Sequence, residues 1–105
     1  MPAIAYTVTA TLPDEHTLRR YIDWLQSGHT ADVLAAGAAT ASIIHLDADP
    51  GEPPHRVQTS YTFPDRAAFN VYVQNKAPAL RAEGLALFAP ESGVTFSRSI
   101  GTILD

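Results

Sequence analysis

His29 is the residue in this 105-residue chain best placed to do acid–base chemistry. It stands just before a short helical pattern, His29-Thr30-Ala31-Asp32-Val33-Leu34-Ala35-Ala36-Gly37. The positive end of a helix dipole disfavours the imidazolium, leaving a neutral ring available as a base or hydrogen-bond partner near neutral pH. Asp32, three residues on, either orients that ring or serves only the first turn electrostatically. The competing reading of His29 is a structural histidine that fixes a helix corner.

Tyr6, His45, Tyr61 and Arg98 come from four separate strand-like segments. If strand parity brings them together on the uncovered face of a sheet, the set could bind a carbonyl or carboxylate and stabilise an enolate. Otherwise the tyrosines are core or interface aromatics, Arg98 makes an ion pair and His45 sits at a strand end; parity needs the pairing register. Trp24 is a further candidate wall for a ligand. His45, Asp47, Asp49, Glu52 and His55 carry metal-binding side chains, but on a Pro-rich stretch without ligand spacing, which predicts a solvated hairpin end and no metal. The chain has no cysteine, so thiol and disulfide chemistry are excluded. It has no P-loop, Gly-rich dinucleotide turn or Gly-x-Ser-x-Gly elbow, and no cofactor is predicted.

These residues must be carried by elements that the hydrophobic pattern reveals. Ala3 to Leu12 alternates as a strand, with Ile4, Tyr6, Val8 and Ala10 on one face. Pro13 ends it, and Asp14 and Glu15 suit a helix start. Leu18, Tyr21, Ile22 and Leu25 then form one helical stripe, with Trp24 at its margin. Gly28 is expected to stop that helix in the left-handed conformation. Thr30 can cap the short helix that follows, Val33 and Leu34 can bury, and Gly37 closes it. Ala38 to Leu46 and Arg56 to Phe63 read as strands across a Pro/Gly/acidic loop. Asp65 can cap a second long helix, whose inward stripe is Phe69, Tyr72 and Val73. Pro78 predicts a kink or restart before Ala79 to Phe88, where Leu80, Gly84, Leu87 and Phe88 share a side. Val94 to Leu104 is the closing strand.

The order is βαββαβ, an α+β, ferredoxin-like arrangement in which helices cover one face of a four-stranded antiparallel sheet. Apolar residues expected on the other face predict a homodimer that buries it. A small apolar or aromatic molecule is expected in a sheet-lined cavity, between sheet and helices or between two sheets. The length fits a single domain over residues 1–105. Seven scattered basic residues against eleven acidic ones give a net charge of −4, which argues against nucleic acid and anionic membrane as partners. No targeting segment or long apolar run is read at the N-terminus, so the expected location is cytoplasmic.

The His29–Gly37 segment, the run Ala77-Pro78-Ala79-Leu80-Arg81 and the Trp24-containing first helix together resemble a small bacterial family of unassigned function in the dimeric α/β-barrel superfamily. The resemblance spans nearly the whole chain. Lys76 stands where that family has a histidine, and Ser60 where it often has a glutamine. The superfamily includes cofactor-free monooxygenases, polyketide-type cyclases and haem-handling proteins, so the resemblance implies an architecture more than a reaction. It leaves three functions open: a small-molecule-holding dimer, a cofactor-independent cyclase or monooxygenase with His29 as base, and a structural or protein-interaction dimer.

Overall fold

Strand alternation decides what this fold can enclose. In the computed structural model, which describes residues 2–104, β1 (Ile4–Thr11), β2 (Thr40–His45), β3 (Arg56–Phe63) and β4 (Thr95–Thr102) form one sheet in the order β2-β3-β1-β4. All three pairings are antiparallel, and the arrangement is ferredoxin-like. The two central strands meet Tyr6 to Tyr61, Ile4 to Phe63 and Ala10 to Val57, and all six of these side chains are buried.

The helices lie over that face. Asp14 caps α1 (Glu15–Trp24) by accepting from the Thr17 N–H at 2.8 Å, and Asp65 caps α3 (Arg66–Asn75) by accepting from Ala68 N–H at 2.8 Å. Such carboxylates satisfy donors that the first helical turn cannot. Pro78 falls in the first turn of α4 (Ala77–Leu87), where no backbone donor is needed, so the chain restarts there after Lys76. Gly28 breaks the helix that begins as α1, in a non-helical conformation (φ 167°, ψ −25°) and not the left-handed one expected. The segment Leu25–His29 kinks there and leads into α2 (Thr30–Ala35). Thr30 is correspondingly not a cap: its hydroxyl donates back to the Leu25 carbonyl at 3.1 Å. Gly37 (φ 126°) closes α2 in a conformation open chiefly to glycine.

The opposite face of the sheet corrects the expectation of an apolar surface. Thr7, Thr9, Gln58, Ser60, Ser97 and Ser99 occupy it by register, with Ile44 the large apolar side chain among them. Leu34 and Leu87 are also exposed rather than buried, because Val33 and Phe88 take the inward positions of their turns.

The core divides in two. Ile4, Tyr6, Tyr61, Phe63, Phe69 and Tyr72 pack beneath α3, whereas Ala10, Leu18, Tyr21, Val57, Phe88 and Val94 pack beneath α1. Thr59 lies on β3 between these clusters and is the buried polar residue of the core among the described residues. Phe88 anchors the second cluster, edge-on to Tyr21 at 5.2 Å and tilted against Trp24 at 5.6 Å. Phe88→Ala is expected to cost about 3 kcal/mol or more, read as a lower denaturant midpoint; an unchanged midpoint contradicts this packing.

Candidate functional site

The seam between the two core clusters is not filled. A cavity of about 50 Å³ lies there, room for a few water molecules, and it opens into a cleft bounded by α1, α4 and the edge strand β4. With its open mouth the empty space is about 530 Å³. Tyr6, Tyr61 and Thr59 line it from the sheet, Tyr21 and Trp24 from α1, and Tyr72 from α3. Phe96 and Arg98 of β4 and Leu80, Arg81 and Gly84 of α4 complete the wall.

Trp24 is held in this wall from two sides. Its indole stacks on the His29 imidazole with ring centroids 4.0 Å apart and planes 22° from parallel. Its far edge lies against Gly84, where a Cβ would come within 3.1 Å of the ring. The indole Nε1–H donates to Glu83 at 3.4 Å. Gly84 thus lets the ring approach closely, and a Cβ there would need the ring to give by a few tenths of an ångström.

His29 enters the cavity wall half-buried, just after the kink at Gly28, with Nδ1 buried and without a hydrogen-bond partner. Burial lowers its pKa from the usual histidine value, against the opposing fields of Glu83 and Asp32. Desolvation thus does what the helix dipole was expected to do. Thr59 Oγ1 is also buried at this wall, within reach of the Tyr21 hydroxyl as its partner. Burial raises the pKa of Tyr61 and pushes Tyr21 and Tyr72 up to about 12, so these phenols are neutral and able to donate near neutral pH. Arg98 Nε donates to the Tyr6 hydroxyl at 3.1 Å, which leaves the Tyr6 proton free for another acceptor.

The residues singled out from sequence separate accordingly. Tyr6, Tyr61, Trp24, Arg98 and His29 meet at one cavity, but on the helix side of the sheet and not on its uncovered face. The register explains the difference, since Tyr6 pairs with Tyr61 and Val8 with Arg98 on the face that the helices cover. His45 is exposed at the end of β2 opposite Val57 and is not part of the wall. Asp32 is exposed in the first turn of α2 and makes no bond to His29; its influence there is only electrostatic. Among the described residues no three histidine or acidic side chains converge as metal ligands. Glu52 instead ties the loop together, accepting from the Asp49 N–H at 2.8 Å and pairing with Arg56 at 3.6 Å.

Sequence reasoning missed Tyr21, Thr59, Tyr72 and Arg81 as cavity residues. The signal for Thr59 was present: a hydroxyl at an inward position of a strand otherwise inward-facing with Val57, Tyr61 and Phe63.

A family model described as a domain of unknown function, DUF4286, matches residues 3–102. Comparison with curated proteins finds no match. Among solved structures, a dimeric ferredoxin-like protein from an uncultured marine organism is 19% identical with a TM-score of 0.74, covering 100% of this chain and 98% of that one. SnoaB, a cofactor-independent oxygenase from Streptomyces nogalater, is 10% identical with a TM-score of 0.65, covering 100% and 96%. A putative antibiotic biosynthesis monooxygenase from Deinococcus radiodurans is 10% identical with a TM-score of 0.67, covering 97% and 93%. At these identities the likeness is one of fold.

The lowered pKa of His29 sets a pH dependence. The folded pKa lies below the value of about 6.5 for an unfolded chain, so in that window the unfolded state binds more protons. The stability contributed by the neutral ring is fully present above pH 6.5 and is lost as pH falls toward the folded pKa. Between pH 8 and 5.5 the unfolding free energy should fall more for the native protein than for His29→Gln. Parallel curves would contradict the burial of this ring.

Proposed function

The chain belongs to the DUF4286 family of unknown function, and on that premise we propose that it binds a small aromatic molecule in the seam cavity between sheet and helices. The observation that carries this reading is an aromatic-lined cavity whose wall holds the Thr59 hydroxyl beside Tyr21 and a half-buried His29 with a buried Nδ1 that has no partner. Leaving such an atom unpaired costs about 1–3 kcal/mol, a cost that a ligand bearing a hydroxyl or carbonyl would offset on entry. The tyrosines, Phe96 and Trp24 offer ring faces and edges to the ligand body.

2-Naphthol is a suitable probe, because the single tryptophan of the sequence gives one indole N–H resonance at the wall. Binding should shift that resonance. Thr59→Val, which removes the hydroxyl at constant shape, should weaken 2-naphthol by about tenfold. Equal affinity in the two proteins, or a resonance that does not move, would overturn the reading.

The depressed pKa of His29 favours a second reading, in which the neutral ring acts as a base on a carbon acid, the step shared by cyclases and cofactor-independent oxygenases. The native protein should then accelerate hydrogen–deuterium exchange beside the carbonyl of 2-tetralone, and His29→Gln should lose the acceleration while keeping 2-naphthol affinity within about threefold, if the lost bond is a neutral one of modest net worth. Exchange at the buffer rate with the native protein contradicts catalysis and leaves a binding role.

The uncovered sheet face is the proposed dimer surface. Solved relatives in fold are described as dimeric, and short Ser and Thr side chains allow close approach of two sheets. Thr7, on a central strand opposite Ser60 and Ser99, lies at the middle of this face. Sedimentation should give a dimer for the native chain and a monomer for Thr7→Arg, which would bury an unpaired charge. A monomeric native chain contradicts the proposal.

A further inference from the structure

The cavity mouth carries two positive charges and no acid paired to either. Arg98 leaves the edge strand β4 on the helix side, opposite Val8, and gives its Nε to the Tyr6 hydroxyl. Arg81 reaches the same cavity from α4. Both residues are exposed, and among the described residues neither forms an ion pair; the pairs present are Arg19–Glu15 and Arg56–Glu52. Glu83, the acid nearest this rim, takes the Trp24 indole N–H instead. Both guanidinium groups favour the Tyr72 phenolate, opposing the burial that raises its pKa, so their fields converge on one hydroxyl of the cavity wall.

Like charges facing one cleft repel, and a ligand of opposite charge relieves that repulsion. On a chain of net charge −4 this is a local positive site in a negative field. A guanidinium presents parallel N–H donors whose spacing matches the two oxygens of a carboxylate. The fixed Nε of Arg98 holds its fork at the edge of an aromatic chamber, so an anionic head at the mouth would place an attached ring against Tyr61 and Trp24.

We propose that Arg81 and Arg98 form a carboxylate-binding fork at the cavity mouth, and that the ligand class is aromatic carboxylates, the ring lying in the seam and the carboxylate between the two guanidinium groups. This rests on the cavity being a ligand site. Its test therefore compares charged and neutral forms of one ring system, so that failure of the fork and failure of the cavity give different results.

The experiment is calorimetric titration of the full chain with 2-naphthoate and with 2-naphthamide, each also followed by the Trp24 indole resonance. Naphthoate is expected to bind at least about tenfold more tightly than naphthamide, the scale of a charge-assisted contact, and its advantage should shrink as salt is raised. Arg81→Gln and Arg98→Gln should each erase most of that advantage, read as the ratio of naphthoate to naphthamide affinity within each variant. Arg98→Lys, which keeps the charge but not the Nε link to Tyr6, should restore part of it. Equal binding of the two probes, or a naphthoate preference that survives both glutamine substitutions, overturns the fork while leaving the cavity reading intact. Failure of both probes to bind or to move the Trp24 resonance overturns the cavity reading and the fork together.

Discussion

The pairing of Tyr6 with Tyr61 across the two central strands fixes which face of the sheet lines the interior, and every later feature follows from it. Side chains alternate with a period of two, so a slip of one residue would set Tyr6 and Tyr61 on opposite faces, putting one of them in solvent and a Thr or Ser in its place. In the observed register the same alternation carries outward to β4, where Phe96 and Arg98 stand on the tyrosine side. It also sets Thr59 beside them, between two apolar clusters that each have their own helical cover.

The Trp24 ring of α1 lies against Gly84 of α4, at the wall of the seam between those clusters. The kinked segment Leu25–His29 brings the imidazole to stack against that ring. The burial that follows explains the chemistry of the chamber: phenols that stay neutral, a histidine that resists protonation, and arginines at the rim where solvent still reaches them.

Much of the frame was legible in the chain. Strict alternation in Ile4–Thr11 and Arg56–Phe63 identified both central strands and the two faces of each, and Asp65 and Pro78 marked a cap and a restart that the backbone adopts. The face of the chamber was not legible, because alternation divides each strand into two sets without saying which set the helices cover; only the pairing of four strands with four helices does that. His45 looked equivalent to Tyr61 in parity, but it ends its strand opposite Val57 and remains exposed, so position along the strand outweighed the face it shares. Asp32 had a spacing from His29 that could orient its ring, yet the imidazole stacks on Trp24 and Asp32 is exposed. Tyr72 was legible as part of an inward stripe, but its meeting with Arg81 and the β1 and β4 residues at one cavity is a long-range placement with no local pattern.

The most direct measurement of the central claim is the location of a bound aromatic probe. Intermolecular nuclear Overhauser effects between isotope-labelled protein and 2-naphthol should connect the probe's ring protons to Trp24, Tyr61 and Leu80, residues that line the seam between the two core clusters. Contacts confined to the Ser/Thr face of the sheet, or to the separate hollow beside Ile4 and Arg66, would contradict the account.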